Sequence, residues 1–564
     1  MALAPVVRRI AALLAAGLST WAAGCGGEAA PRAPDDVGGT VVIVSPVEPT
    51  TLFPPHATGT PAVAIVAALF DRLADIGPSL ETVGDVGVRP RLASSWQWAP
   101  DSLSLAFTLD PAAHWHDGAP VRAADVAYTF RAYTDDAVDA ERRSLLGNID
   151  SVTAADGRTA VFWFKRRTPQ QFYDATYHMH VLPSHLLDSI PMARVGQSPF
   201  ARHPVGTGRF RFVNWAARQR IEIVADTTNA RGRATLDRVI WSIAPDLGAA
   251  TVTLFAGEAD VLEGLAPDQL AEIGQAPSLR LVVQPSLAYH FLGLNQRAPF
   301  DGSQPHPVFG DALVRRALAM AVDRERLVRT VLDSIGTVAL GPAPRALIAD
   351  TAAIRQIAYD PAAARALLDS AGWVDTNNDA VRERHDVPLA FDMLVPNSSP
   401  TRQRIAVLLQ EQLRAIGVQV TPVPLEIDVL NARILGKAFD SYLGGWIMSP
   451  GLVGMRQTWM STGASNTVSY RSPVFDAWVD SALSSFDAGA SRRYWTRALQ
   501  QAVNDVPALW LYEQRAPMVM HTRLIVPALR ADGWWVDLAD WRVDPRRRID
   551  RDRIGLGTPA GAAR

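Results

Sequence analysis

The chain has 564 residues, 48% of them hydrophobic, with 55 basic against 57 acidic side chains. That length is several times a typical domain and can bury a large core. A net charge of −2 gives no overall basic field for nucleic acid or an anionic membrane.

From the N-terminus, Arg8 and Arg9 precede an apolar run, 10–23, then Gly24 and the single cysteine, Cys25. A charged start, a short apolar middle and small residues before a cut site make a secretory signal. The run falls short of the roughly 20 residues that a membrane helix needs. Residues 1–24 are therefore expected to be a signal peptide, with Cys25 as the lipidated first residue of an exported chain. That chain would be held at the periplasmic or extracellular face of a membrane by its lipid alone. An ordinary signal with an incidental Cys25 is the alternative, since Ala22 stands where leucine is more usual. With Cys25 used in this way, no thiol remains for a disulfide, a thiolate metal site or a nucleophile. Residues 25–39 are small, polar and rich in Pro and Gly, and read as a flexible tether.

Structure is expected to start with the β-branched strand 40–44, ended by Ser45 and Pro46. Residues 104–109 alternate like a half-buried strand, and 221–224 and 239–243 are further strands. Residues 311–332 read as helix with a break near Asp323. Asp360 and Pro361 open a helix that Gly372 stops. The segment 400–416 puts Ile405, Leu408, Leu409, Leu413 and Ile416 on one helical face. Gly417 ends it and 418–421 resumes as a strand. The pattern is a soluble, exported α/β protein of two or more domains.

Three kinds of chemistry are worth weighing. Asp375, Asn377, Asp379 and Asp386 have the spacing of a calcium loop, but Ala380 replaces the turn glycine and Asp386 the bidentate glutamate. A plain solvated turn is the expectation. His114 and His116, and His178, His180 and His185, cluster in sequence, yet no third ligand recurs at metal spacing and structural roles are expected. No nucleophile elbow, zinc-protease motif or phosphate-binding loop is present. An exported hydrolase built on distant carboxylates is the remaining enzyme alternative, and no cofactor is implied.

Several ordered blocks then carry a resemblance. Residues 92–130, with WHDGAPVRAADV at their centre, are similar to the most recognisable block of the peptide/nickel class of extracellular solute-binding proteins, the receptors of ATP-driven importers. PVGTGRFRFVNW (204–215), LFAGEADV (254–261), FLGLNQRAPF (291–300), VRRALAMAVDRERLV (314–328), YDPAAARALLDSAGW (359–373), ALWLYEQ (508–514) and GWWVDLADW (533–541) follow in the family's order. Most are scaffold motifs that identify the fold and say little of the ligand.

The resemblance implies a two-lobe α/β binding protein with an extra subdomain in the first lobe. The first lobe would take 40–285, with the subdomain roughly at 60–200, and the second 286–515. Residues 516–548 would return to the first lobe, and 549–564 would form a polar tail. Chain crossings near 286–294 and 508–520 would act as the hinge. The function implied is non-enzymatic: capture of a small peptide-like, sugar or other amphipathic solute, and delivery to an ABC permease and its ATPase subunits. A ligand-binding sensor without a transporter is the other reading. The chain is expected to be a monomer that binds no nucleic acid.

For the pocket, peptide-binding members follow a segment like Gly444-Gly445-Trp446 with an aspartate that pairs with the peptide's ammonium. Here Trp446, Ile447, Met448 and Ser449 are followed by no acid until Asp476. A buried ammonium without a partner is costly, so a neutral or blocked ligand is expected. Thr50, Tyr289, His290, Asn397 and Arg402 complete the candidates, with Arg402 suited to a carboxylate.

Overall fold

A computed structural model describes residues 37–138, 143, 145–264, 270–554 and 556. The signal peptide, Cys25 and most of the tether lie outside them. Three sheets of four or more strands organise these residues.

The first lobe is built on a seven-stranded sheet. Its strands, in spatial order, are Leu279–Gln284, Ala516–His521, Val261–Glu263, Thr40–Ser45, Arg238–Ile243, Arg220–Ala225 and Phe210–Ala216. Thr40–Ser45 runs parallel to both of its neighbours. It is buried along its whole length, as an apolar strand covered on both faces must be. Val41 and Ile43 join the largest core cluster. Val42 and Val44 face a smaller one with Leu254 of the helix Leu247–Phe255.

A four-stranded antiparallel sheet is inserted in this lobe: Ala93–Trp98, Ser104–Leu109, Thr159–Phe164 and Ile149–Ala154. Leu105, Phe107 and Phe162 point into the same large core. The WHDGAPVRAADV block holds this region together. Trp115 is buried and donates to Asp125 Oδ2 at 3.2 Å. Asp125 also accepts from the Arg122 and Ser184 amides, at 2.8 and 2.9 Å. His116 accepts from the Gly206 amide through Nδ1 and bonds the Gly208 carbonyl through Nε2. A Cβ on Gly206 would lie 1.8 Å from the Leu69 carbonyl oxygen, so only glycine lets this turn approach the end of the helix Thr60–Leu69.

The second lobe is a six-stranded sheet: Gly336–Val338, Ala508–Gln514, Ala288–Leu294, Ser441–Ile447, Ala390–Pro396 and Gln419–Leu425. One face carries Leu292, Leu443 and Leu509 with the helices Ala312–Ala321, Arg324–Val331 and Pro400–Arg414. The opposite face carries Phe291, Tyr442 and Trp510 with Trp459 and the helices Pro473–Ser484 and Ala488–Asp505. The break expected near Asp323 is an N-cap: its side chain accepts from the Arg326 amide, which satisfies an orphan donor of the second helix.

Only short links join the two large sheets. Leu279–Gln284 leads through Pro285, Ser286 and Leu287 into Ala288–Leu294, and Ala508–Gln514 leads through Arg515 back into Ala516–His521. The stretch from 549, read from sequence as a polar tail, begins with a helical turn, Asp550–Arg553. Asp552 there accepts from the Thr40 amide at 2.9 Å and pairs with Arg523, which also grips Asp260 at 2.7 Å. Removing one member of such a buried network costs about 3–5 kcal/mol.

Candidate ligand-binding site

The candidate site lies where the six-stranded sheet ends beside the two links. Strand Ala288–Leu294 pairs with Ser441–Ile447 so that Ala288 meets Ile447 and Leu294 meets Ser441. The hinge end of the second lobe is therefore the end carrying Trp446–Ser449. The Met448 amide donates to the Leu287 carbonyl at 2.8 Å, tying this segment to the first link.

Strand alternation separates the sequence candidates onto two faces. Tyr289, Phe291, Tyr442 and Trp446 belong to one face. Tyr289 is buried, its hydroxyl accepts from Trp459 Nε1 at 2.8 Å, and burial pushes its ionisation up. It is a core residue in this structure. Trp446 is half-buried against that same cluster, while Ile447 is 86% exposed at the strand end.

His290 lies on the other face, stacked on Tyr512 with ring centroids 4.3 Å apart. Its ring lies against Gly445, where a Cβ would sit 2.4 Å from Nδ1. Burial pushes His290 down to about 3, and the Arg402 charge adds to this. The ring is thus neutral, and Nδ1 is buried with no hydrogen-bond partner. Burial raises the ionisation of Tyr512, against the downward pull of the Arg402 cation. Arg402 stands in the first turn of Pro400–Arg414, capped by Ser399. It makes no ion pair among the described residues, so its charge is available to a carboxylate or another acceptor.

The remaining candidates are peripheral. Asn397 is exposed and donates to Glu426 at 2.5 Å. Thr50 is exposed in the loop after Thr40–Ser45. Its neighbour Glu48 accepts from Trp215 Nε1 at 2.7 Å and from the Arg218 amide at 3.1 Å. The structure brings His290, Arg402 and Tyr512 together and leaves Trp446 on the opposite face of the strand.

Two carboxyl groups escaped sequence reasoning. Asp174, in the short helix Gln171–Thr176, has no hydrogen-bond or ion-pair partner among the described residues, and burial pushes it up to about 7. Its neighbour Tyr173 packs with Ile76, Leu80 and Leu287, and with Leu347 of the second lobe. Glu263, at the end of its strand, is raised to about 7 by burial, against a hydrogen bond from Trp534 Nε1 at 2.6 Å. A lone acid in the aromatic run QFYDATY was the one available signal for Asp174.

The lobes touch across the cleft at three further points. Arg492 Nε lies 3.1 Å from Glu81, the Arg167 guanidinium sits 4.2 Å from the centre of the Phe486 ring, and Gly451 packs closely on Thr82.

The residues of the two metal readings take part in local hydrogen bonds. Asp375 accepts from the Asn378 and Ala380 amides at 2.7 and 3.0 Å, and Asp379 from the Val381 amide at 2.8 Å. Asn377 accepts from the Asp379 amide at 2.9 Å, and His385 and Asp386 occupy a two-residue hairpin turn with positive φ. His114 bonds Thr228, and His185 bonds Asp117 at 2.8 Å. No three His, Cys, Asp or Glu side chains group as a metal site among the described residues. No helix among them is long and apolar enough to cross a membrane.

Comparison with known proteins agrees with this architecture. Residues 87–467 match the model of the bacterial extracellular solute-binding proteins, family 5 (middle region). The oligopeptide-binding protein AppA of Bacillus subtilis is 27% identical over 500 residues, covering 86% of this chain and 88% of that protein. The glutathione-binding protein GsiB of Pectobacterium atrosepticum is 25% identical over 438 residues, covering 75% and 80%. The structure of B. subtilis AppA in complex with a nonapeptide superposes with a TM-score of 0.67 at 26% identity, over 90% of this chain and 99% of that one.

Proposed function

We propose, on the premise that this chain belongs to the bacterial extracellular solute-binding proteins of family 5, that it captures a peptide-like or other amphipathic solute between its lobes and delivers it to an ABC permease with its ATPases. The first lobe would take 40–285 and 516–548, with a subdomain roughly at 60–200, and the second 286–515. Anchoring through Cys25 on the tether 25–39 belongs to the same reading, as does action as a monomer.

One observation carries it. Two sheets joined by short paired links present, at the linked ends, an unpaired guanidinium at Arg402 and a neutral His290 with an unused ring nitrogen. Such a site offers an acceptor-bearing ligand one charge beside an aromatic wall. The names of the relatives support a peptide-like ligand. The neutral segment Ile447-Met448-Ser449 disfavours ligands that depend on an acid there for a free ammonium.

The test is a thermal-shift and calorimetric screen of free, N-acetylated and neutral amphipathic peptides, followed by product analysis. A ligand at a hundred times its Kd stabilises the native state by about 2.7 kcal/mol, a shift of a few degrees. We expect blocked peptides to bind and be recovered intact, and Arg402→Gln to weaken them at least tenfold with little change in the melting temperature without ligand. Turnover of the ligand would refute the reading. Tight binding of many free dipeptides, abolished by Asp174→Asn, would move ammonium recognition to the first lobe and end the neutral-ligand argument.

A further inference from the structure

At the far end of the second lobe, away from the cleft, a cup of about 390 Å³ opens between the hairpin Arg297–Ala298/Asp301–Pro305 and the loops before Ser441 and after Trp459. Asn295, next after the strand Ala288–Leu294, lies at its base, so the sheet's length separates it from Ile447. Its lining includes Arg297, Lys437 and Arg471 and no carboxylate. Lys437 and Arg471 carry no ion pair among the described residues. The nearby Asp301 is occupied by the Ser303 amide and hydroxyl, at 3.1 and 2.5 Å. Two lining residues, Lys437 and Ser469, hold left-handed backbone, with φ of 55° and 57°. Side chains other than glycine pay for that conformation and keep it where the surroundings demand it. Lys437 is lowered by burial and by the neighbouring Arg471 charge, so an incoming anion would relieve a repulsion already present.

Two large apolar side chains are exposed at or next to the cup. Phe300, which lines it, is 92% exposed, and Leu435, two residues before Lys437, is 74% exposed. Exposed large apolar side chains beside unpaired cations match a surface whose phosphates lie directly above hydrocarbon. A soluble anion would use the cations and leave Phe300 and Leu435 in water. A net charge near zero does not bear on a local cluster of this kind.

We propose that this end of the second lobe docks on an anionic phospholipid surface, with Arg297, Lys437 and Arg471 taking a phosphate headgroup and Phe300 and Leu435 entering the acyl boundary. The contact is separate from any anchor at Cys25. It leaves the cleft open, because the cup and the cleft stand at opposite ends of the same strands.

The experiment is flotation of the full chain with equimolar phosphatidylglycerol–phosphatidylcholine vesicles and with pure phosphatidylcholine vesicles at low salt. Any insertion of the N-terminal apolar segment is common to all samples, so the readout is the margin between the two lipids. With three cations at the surface that margin should be at least about tenfold. Lys437→Gln/Arg471→Gln should cut that margin to a third or less, and, separately, Phe300→Ser/Leu435→Ser should cut flotation with the anionic vesicles to a third or less, both with unchanged melting temperature. Equal partition onto both vesicles, or variants that float like the parent, would overturn the proposal. Loss with the charge pair alone, together with displacement by millimolar inorganic phosphate, would assign the cup to a soluble phosphate and also overturn docking.

Discussion

A carboxyl group enclosed without a partner holds its proton to higher pH than a solvated one, and Asp174 is in that position. Its folded-state value of about 7 compares with about 3.9 for an unfolded chain. The folded state therefore binds more protons than the unfolded state between those values, so stability falls as pH rises from about 4 to 7 and levels off above. Glu263 and Glu513, also raised to about 7 by burial, act in the same sense. Asp174→Asn should remove roughly a third of that slope and raise stability at pH 8 by about 1–2 kcal/mol, less than full linkage because the carboxyl is partly exposed. Melting curves from pH 4 to 8 read this directly. A variant with the parent's slope would show that Asp174 finds a counter-charge in solution. Arg402 and His290 are the converse case: a cation without an acid beside a ring that burial keeps neutral. Neither state follows from the amino-acid type, since both depend on what the other strands bring alongside.

At the scale of elements, the acidic turn at 375–386 bears on a question that spacing alone leaves open. Asp375, Asn377 and Asp379 already accept from backbone amides of their own turn, and Glu383 accepts from the Thr376 amide at 2.8 Å. These bonds hold the turn without an ion, and the bidentate acid that closes a calcium loop is replaced by Asp386. Chelator should therefore leave the melting temperature unchanged, and added millimolar calcium should do the same. A shift of several degrees that Asp379→Ala removes would reverse the conclusion. The elements were the legible part of this sequence. Asp360, Pro361 and Gly372 bracket the helix Pro361–Ser370, Gly417 ends Pro400–Arg414, and the 40–44 run became Thr40–Ser45. These signals act within a few residues, through capping, fixed φ and side-chain period. The site was less legible because it is assembled across elements. His290 and Trp446 are each a single strand position, and which face each occupies depends on register with a partner more than a hundred residues away. Asp174 gave no spacing to read, since its meaning lies in the partners it lacks.

For the whole molecule, the question is what holds the lobes together when no ligand does. The direct contacts are weak ones. Arg492 is 54% exposed where it meets Glu81, and such pairs contribute about 0–1 kcal/mol. Arg167 over Phe486 adds roughly 0.5–1 kcal/mol as an exposed cation–π contact. Together they shift an open–closed equilibrium by about tenfold. That is enough to populate the closed form before ligand arrives and too little to prevent release. The small cluster of Ile76, Leu80, Tyr173 and Leu287 with Leu347 sits at the links themselves and should act as a pivot that stays packed in both forms. Phe486→Ala/Arg492→Ala should therefore enlarge the radius of gyration of the unliganded protein in solution scattering. It should weaken ligand up to about tenfold by lowering the competent fraction, and leave the liganded radius unchanged. Because the two sites lie away from the ligand-facing residues, the loss should appear as slower apparent association when closure precedes binding and as faster dissociation when closure follows it. An unliganded radius that does not move would mean that the pivot cluster alone sets the lobe angle. Leu80→Ala would then be the substitution that opens the cleft.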